Sequence, residues 1–387
     1  MPTVTDIGPL DGVRVLELGH YIAAPFCAQI LADQGADVIK VEPPGGAARR
    51  NSDPKKNPGG YFPMLNRNKR SIGIDLKSDR GRTVFEALVR SSDVLVTNFA
   101  AGVPQRLGIG PDRLLTVNPR LVYVHATGFG NDSPYATKPA FDGVIQAMSG
   151  LMHLTGEPAG APALAGVFVP DHVTGLYAAL AVLFGLRQRE LTGQGSFTDL
   201  AMLDSMLTFL GATLSEVADH GVSPQRTGGK VRRSYAGTYA ASDGYVYLAP
   251  MNDRMWAGIS AAIGAPELAE HYPLGGVDNR MAHRDALDAV IEGWTRAHTV
   301  AQVVDTMTAA GVPASPILSL EQILADPNVA HRRMVRELPV PGGYSVHVVA
   351  SPLPAVEHTY RAAPPEAGQH TDEILAELGL LEPARPA

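Results

Sequence analysis

Residues 12–42, GVRVLELGHYIAAPFCAQILADQGADVIKVE, set the architecture expected for this chain. Residues 13–18 and 37–41 are short runs rich in Val, Ile and Leu, which is typical of buried strands. Between them, the apolar stretch 25–35 predicts a helix that stops at a glycine. A strand, a helix and a second strand in about thirty residues predict a crossover between two parallel strands.

The same alternation continues along the first half of the chain. Further strands are predicted at residues 71–76, 94–99 and 121–126, with a helix at 79–90 between the first two. Strands separated by helical crossovers favour a parallel sheet with helices on its faces, which is an α/β fold. Such sheets bind ligands at the carboxyl ends of their strands, so we expect the functional site there.

The length of the chain predicts more than one structural unit, because 387 residues exceed what a single core usually carries. We predict a large Rossmann-like domain over residues 1–207, a linker over 208–233 and a smaller α/β domain over 234–317. The small domain should open with a hairpin that turns at residues 242–244. Residues 318–387 are predicted to return and pack on the large domain, since they are too short for a core of their own.

The composition is that of a globular protein, with 45% apolar and 18% charged residues. The net charge of −7 is spread along the sequence, which predicts no nucleic-acid partner. A single cysteine, Cys27, excludes an intrachain disulfide and a multi-cysteine metal site. The first ten residues do not read as a signal peptide, and no uninterrupted apolar run reaches the length of a membrane span. We therefore expect a soluble, cytoplasmic protein without a metal.

The usual nucleotide motifs are missing from the sequence. Residues 19–25, GHYIAAP, follow the first strand and lack the three glycines of a dinucleotide fingerprint. Residues 193–197, GQGSF, do not form a nucleophile elbow, which needs a serine between the glycines. The predicted sheet therefore suits an anionic ligand other than a dinucleotide.

Asp171 is the most informative ionisable residue. It opens a predicted helix that is apolar nearly all round, is expected to be buried, and ends at residues 191–195. One interpretation is a helix N-cap, where aspartate accepts main-chain N–H groups. The other is a nucleophile whose ionised form the helix dipole stabilises. The sequence leaves both open; a further helix is predicted around residues 199–220.

Nine motifs, spread in order over nearly the whole chain, resemble those of the family III CoA-transferases. They are residues 38–44 (VIKVEPP), 66–72 (NRNKRSI), 93–99 (DVLVTNF), 106–108 (RLG), 128–130 (GFG), 147–152 (AMSGLM), 174–177 (TGLY), 192–195 (TGQG) and 369–375 (QHTDEIL). The family includes formyl-CoA and carnitine CoA-transferases and also the α-methylacyl-CoA racemases. Its catalytic aspartate matches Asp171.

This resemblance implies a fold, an activity and partners. The fold is a Rossmann-like large domain plus a smaller domain, with two chains threaded into an interlocked homodimer. The activity is movement of CoA between carboxylic acids through an aspartyl mixed anhydride and an enzyme thioester. Acyl-CoA and carboxylic acids are then the small-molecule substrates, and no permanently bound cofactor is implied.

The resemblance also implies a set of CoA-binding positions. They are Ile22, Ala23, Ile74, Leu76, Lys77, Asn98, Phe99, Ala100, Arg106 and Lys138. Among them, Arg106 and Lys77 are the side chains chemically suited to the CoA phosphates.

Two alternative functions stay open. A racemase of this family moves an α-proton between the aspartate and a histidine, but that histidine position is Phe141 here, which cannot carry a proton. His125 and His172 are interpreted as structural. The alternative of another class is a non-catalytic CoA-binding protein in which Asp171 only caps its helix.

Overall fold

The computed structural model describes residues 8–46, 61–272, 277–340, 344–353 and 362–381. The chain forms two compact units. The first comprises Met1–Gly150, Ala165–Gly221 and Asn328–Ala387, and the second comprises Leu151–Leu164 and Val222–Pro327. The second unit thus takes in residues 151–164, which the sequence prediction left in the large domain.

The strands of the described chain are β1 (Arg14–Leu18), β2 (Asp37–Glu42), β3 (Lys69–Gly73), β4 (Val94–Thr97), β5 (Val122–Thr127), β6 (Ser196–Ala201), β7 (Gly237–Ala240), β8 (Tyr245–Leu248), β9 (Ala314–Pro316), β10 (Val335–Val340) and β11 (Tyr344–Val349). Its helices are α1 (Ala23–Asp33), α2 (Tyr61–Asn66), α3 (Asp79–Arg90), α4 (Val103–Arg106), α5 (Pro111–Val117), α6 (Asp142–Met148), α7 (Leu151–Leu154), α8 (Val169–Thr192), α9 (Met202–Phe209), α10 (Gly211–His220), α11 (Asp253–Ala262), α12 (Glu267–His271), α13 (Val277–Ala282), α14 (Arg284–Thr295), α15 (Val300–Ala309), α16 (Leu320–Leu324), α17 (Pro327–His331) and α18 (Thr371–Glu377).

The first unit is built on a six-stranded sheet with the order β3-β2-β1-β4-β5-β6. Every neighbouring pair in it is parallel, which confirms the predicted α/β fold with a parallel sheet. The chain moves outward from β1 in one direction through β2 and β3, and in the other through β4, β5 and β6. The gap between the ends of β1 and β4 is therefore the switch point at which such sheets bind ligands.

Alternation along the strands gives the sheet two apolar faces. Val15 of β1 lies in a core that also contains Leu31 of α1 and Val182 of α8. Its neighbour Leu16 points to the opposite face and packs in a second core with Phe85 of α3. Successive side chains of a strand point to opposite faces, so a strand buried on both sides reads as a continuous apolar run.

The end of the described chain closes the β3 edge of this sheet. The Ser71 N–H donates to the His370 ring over 3.1 Å, and the Gly73 N–H donates to the Thr371 hydroxyl over 3.0 Å. Ile374 of α18 is fully buried in the core beneath the same edge. The C-terminal segment thus packs on the sheet of its own chain.

Two predictions about the helices were wrong. Residues 199–201, predicted as the start of a helix, belong to strand β6, because Ser196–Ala201 pair with Val122–Thr127 of β5 and so extend the sheet. The helix α8 is not buried all round, since Leu176 and Phe184 are 49% and 69% exposed. By length and composition α8 could cross a membrane, but half of its most apolar window is buried within the protein.

The second unit has its own sheet and core. β7 and β8 are antiparallel neighbours, which confirms the predicted hairpin, and β9 adds to β8. Trp256 of α11 is 1% exposed and packs in a core with Tyr235 and Ile291.

Candidate active site

Asp171 lies in the first turn of α8 and contacts two other elements of the first unit. It is the third residue of the helix, and Phe168 occupies the N-cap position. The N-cap interpretation of Asp171 is therefore wrong. Its carboxylate accepts a hydrogen bond from the Ala23 main-chain N–H at the start of α1. Its own N–H donates to the carboxylate of Asp142, the first residue of α6, over 3.2 Å.

The turn between β1 and α1 delivers the Ala23 N–H to Asp171. Tyr21 in this turn has φ 59°, a left-handed conformation that is uncommon for a non-glycine residue. α1 and α8 pack closely because Gly175 has no side chain, and a Cβ there would lie 2.9 Å from the Ala23 carbonyl oxygen. The start of α1, with its positive dipole end, is thereby held against the Asp171 carboxylate.

A buried ion network supports the same turn from below. Glu17 accepts from the ammonium groups of Lys40 and Lys69, each over 2.6 Å. Lys40 also donates to the Gly19 carbonyl over 3.1 Å, and Lys69 donates to the Pro25 carbonyl over 3.0 Å. These two carbonyls lie on either side of the turn that carries Ala23. Desolvation by burial lowers the pKa of Lys69 to about 8, and the two cations hold the pKa of Glu17 below its usual value against the same desolvation.

The electrostatic environment makes Asp171 a more basic carboxylate than usual. Desolvation by burial, and next the negative charge of Asp142, raise its pKa from 3.8 to about 6, while the Ala23 N–H acts in the opposite direction. The side chain is therefore ionised at neutral pH, and its nucleophilicity is greater than that of an ordinary aspartate.

Four exposed aromatic residues flank Asp171 in sequence or in space. Phe141 and Tyr21 form an edge-to-face pair with ring centroids 5.6 Å apart, and Tyr61 and Phe168 form a second pair at the same distance. Desolvation and the charges of Asp142 and Asp171 raise the pKa of Tyr61, which places its phenol near both carboxylates. Their rings are 43% to 60% exposed, which is typical of residues that line a ligand site.

Most of the CoA positions expected from the resemblance follow the carboxyl ends of strands in the large sheet. The His20 N–H donates to the Asn98 side chain over 2.9 Å, and the Asn98 amide donates to the His20 carbonyl over 2.8 Å. These bonds join the ends of β1 and β4, so Ile22 and Ala23 on one side and Asn98, Phe99 and Ala100 on the other flank the switch point.

The remaining expected positions lie further out in the same unit. Ile74, Leu76 and Lys77 follow β3, two strands from β1; Ile74 is buried and Lys77 is exposed. Arg106 is exposed at the end of α4. The exposed Lys138 places its ammonium group 3.8 Å from the centroid of the Tyr135 ring. The roles of these residues stay predictions. The part of the chain that the structure describes contains no group of His, Cys, Asp or Glu suited to a metal ion.

Sequence reasoning missed Asp142 and the main-chain N–H of Ala23 as partners of Asp171. Asp142 lies 29 residues before Asp171, and only the packing of α6 against α8 brings the two together. The exposure of Tyr21 and Tyr61 was likewise not readable from the sequence. His125 is fully buried, and its ring lies 2.9 Å from the Phe99 carbonyl; its structural role stays a prediction.

The sheet order and the position of Asp171 define an α/β protein with an acidic group at a helix N-terminus beside the switch point. Residues 10–371 match the sequence pattern of CoA-transferase family III. The chain belongs to CoA-transferase family III.

Named relatives and a solved structure agree with this assignment. The chain is 35% identical to a succinyl-CoA:mesaconate CoA-transferase of Haloarcula marismortui, with 97% of each chain covered. It is 33% identical to a succinate–glutarate CoA-transferase of Agrobacterium fabrum, over 97% of this chain and 96% of the relative. A crystal structure of a CAIB/BAIF family protein from Brucella suis matches with a TM-score of 0.84 and 34% identity, over 96% of this chain and 100% of that one. These matches confirm the family inferred from the motifs and favour CoA transfer over racemisation.

Proposed function

We propose that this enzyme moves CoA between carboxylic acids, with the Asp171 carboxylate as the covalent nucleophile. The observation that carries the proposal is the position of Asp171 between two helix N-termini: it lies in the first turn of α8 and accepts the first N–H of α1. Both helix ends present positive partial charge. In α8 the N–H groups of Val169, Asp171 and His172 already have acceptors and Pro170 has no N–H, so the N–H that reaches the Asp171 carboxylate comes from α1.

The reaction proceeds in four steps, each of which transfers one acyl group. The carboxylate attacks the thioester carbonyl of the donor acyl-CoA, forms a mixed anhydride and releases CoA thiolate. The thiolate attacks the aspartyl carbonyl, which forms an enzyme thioester and releases the donor acid as its carboxylate. The acceptor carboxylate attacks that thioester, forming a second anhydride and releasing the thiolate again. Attack of the thiolate on the acceptor's carbonyl gives the new acyl-CoA and returns Asp171 to its ionised form.

The physical chemistry of the site supports these steps. A carboxylate is a weak nucleophile in water, but attack becomes intramolecular once CoA is bound, which can supply about 7 kcal/mol or more. The desolvated Asp171 lacks the full hydration shell of a surface carboxylate, since burial raises its pKa to about 6. Main-chain N–H groups at the start of α1, where Ala23 contacts the Asp171 carboxylate, are suited to stabilise the tetrahedral oxyanions.

For the substrates we propose dicarboxylic acids of four or five carbons, with succinyl-CoA as the first donor to test. The support comes from the two named relatives, whose names specify succinyl-CoA with mesaconate and succinate with glutarate. Racemisation is not part of the proposal, because the family's second proton carrier is replaced by the exposed Phe141.

The decisive experiment is to trap the covalent intermediate. The enzyme is incubated with succinyl-CoA, treated with borohydride or hydroxylamine, digested and analysed by mass spectrometry. We expect modification at Asp171, and none in Asp171→Asn, which keeps the size of the side chain. Exchange of the α-deuterium of a 2-methylacyl-CoA without a modified Asp171 would replace transfer by racemisation, and CoA binding with neither signal would replace it by a binding function.

We further propose that the enzyme is a cytoplasmic interlocked homodimer. The support is an exposed apolar surface on α8, which a second copy of the chain would cover. It consists of Leu176, Leu180, Leu183 and Phe184. Light scattering should give a dimer at all practical dilutions, with loss of the dimer coinciding with loss of helical circular dichroism. A folded, active monomer at nanomolar concentration would contradict this arrangement.

A further inference from the structure

A buried pair of side chains on α6 holds the chain that leads into Asp171. Asp142 is 5% exposed, and its carboxylate accepts the Asp171 N–H over 3.2 Å and the Gln146 amide over 2.6 Å. Gln146 also donates to the Val167 carbonyl over 3.2 Å and accepts from the Ala165 N–H over 2.9 Å. The main chain from Ala165 to Asp171 is therefore attached to α6 at three points.

The Asp142 carboxylate receives its hydrogen bonds from neutral donors. Both the Asp171 N–H and the Gln146 amide are uncharged, so neither cancels its negative charge. In the part of the chain that the structure describes, the titratable groups near Asp171 include Asp142 on α6, Tyr61 on α2 and the adjacent residue His172 on α8. The His172 ring is engaged by the Phe168 carbonyl over 2.7 Å and packs on Phe26. Two carboxylates thus share a largely desolvated site.

A plain structural explanation exists for this contact. The first N–H groups of a helix have no partner within it, and an acceptor from another element can satisfy one of them. That explanation needs an acceptor at Asp142 for the Asp171 N–H but no charge there. An asparagine oxygen could accept that N–H without placing two like charges together, although its NH2 group would then face the Gln146 amide, which donates to the other Asp142 oxygen.

We propose that Asp142 is a positioning residue whose charge favours the acylated states of Asp171 over the free carboxylate. This inference rests on the proposed function, because it requires the covalent cycle. In the anhydrides and in the enzyme thioester the Asp171 side chain carries no charge. Repulsion from Asp142 therefore raises the free energy of the resting enzyme alone and shifts the equilibrium towards each covalent intermediate. Protonation and acylation neutralise the same charge, so both respond to Asp142 in the same direction.

The test uses variants that differ in the charge at position 142. Asp142→Asn removes the charge and keeps an oxygen for the Asp171 N–H but loses the bond from the Gln146 amide, while Asp142→Glu keeps the charge. Asp142→Ser is a second uncharged variant in case the asparagine variant fails to fold, which circular dichroism would show. The first readout is the pH dependence of carbodiimide labelling of Asp171, followed by peptide mass spectrometry. The second is the fraction of enzyme acylated at a fixed ratio of succinyl-CoA to CoA.

We expect the labelling curve of Asp171 to move to lower pH in Asp142→Asn. The change should be smaller than the full rise of the Asp171 pKa from 3.8 to about 6, because desolvation is the larger cause of that rise. For each pH unit by which the midpoint of the labelling curve falls, the ratio of acylated to free enzyme should fall about tenfold. Asp142→Glu should restore both readouts in part. An unchanged labelling curve and an unchanged acylated fraction in a folded uncharged variant would overturn the inference and leave Asp142 as a helix cap. Failure of the unmodified enzyme to form any adduct would overturn the proposed function, and the inference with it.

Discussion

Replacing Asp171 by asparagine should stabilise the protein at neutral pH while abolishing its activity. The folded chain holds an ionised carboxylate in a desolvated site next to the Asp142 carboxylate. Both influences favour the uncharged form, and asparagine is uncharged at every pH while retaining an oxygen that can accept the Ala23 N–H. The substitution therefore removes an electrostatic cost that the reaction requires.

The magnitude follows from the displacement of the Asp171 pKa from 3.8 to about 6. Over that interval the folded protein binds a proton that the unfolded chain has released, so stability falls as pH rises from about 4 to 6 and is constant above it. The full displacement corresponds to at most about 3 kcal/mol. Asp171→Asn should show no gain below about pH 4 and the whole gain above about pH 6, which is up to about 5 °C in Tm for a unit of this size.

The assay is differential scanning fluorimetry of both proteins from pH 4 to pH 8 at constant ionic strength. Asp219→Asn is a suitable control, because it changes an exposed carboxylate on α10 and should give no pH-dependent gain. If the Tm of Asp171→Asn followed that of the unmodified protein at every pH, the Asp171 carboxylate would carry no electrostatic cost. Its assignment as a desolvated nucleophile beside Asp142 would then be refuted.

Three further substitutions probe the support of the site and the binding of CoA. Gly175→Ala should lower the free energy of unfolding by about 1–3 kcal/mol and also lower kcat, because its Cβ would lie 2.9 Å from a main-chain oxygen of α1. Unchanged Tm and kcat would show that α1 and α8 can move apart without cost. Lys69→Met should lower the free energy of unfolding, measured in urea, by about 3 kcal/mol, because it leaves one oxygen of the buried Glu17 unpaired. A stability equal to that of the unmodified protein would show that the ion pair does not stabilise the turn. Arg106→Ala should raise KM for acyl-CoA at nearly constant kcat, with a smaller effect at high salt. Arg90→Ala, which removes an exposed arginine at the end of α3, is the matched control, and an unchanged KM in Arg106→Ala would remove Arg106 from the CoA site.

The sequence was most informative where the burial of an element in the fold is visible in its own residues. The strands at residues 13–18 and 37–41 are buried on both faces, so their apolar runs are visible without a structure. Asp171 was found because it lies at the start of an unusually apolar helix and matches the catalytic aspartate of the family that the motifs resemble. Strand β6 was missed because it alternates, as Ser196–Ala201 place partly exposed side chains between exposed ones, and only its pairing with β5 makes it a strand.

The partners of Asp171 could not have been predicted in the same way. The Ala23 N–H is a main-chain group and leaves no trace in residue type. Asp142 reads as an ordinary residue in the first turn of a short helix, and its role depends on how α6 packs against α8. The ion network could not be predicted either, since charged residues in a strand more often face solvent. Lys40 and Lys69 were noted only as members of two family motifs, and Glu17 belongs to none of them.

The closure of the β3 edge by the last helix has a consequence for synthesis of the chain. Ser71 and Gly73 find their partners His370 and Thr371 nearly 300 residues later. At about 5–20 residues per second, a ribosome needs roughly 15–60 s to translate that interval. During this time the edge strand exposes unpaired main-chain groups, which can pair with the same edge of another nascent chain. The period before α18 emerges is therefore the stage at which we expect the edge of this sheet to be most open to pairing with another chain, and α18 ends that exposure when it packs.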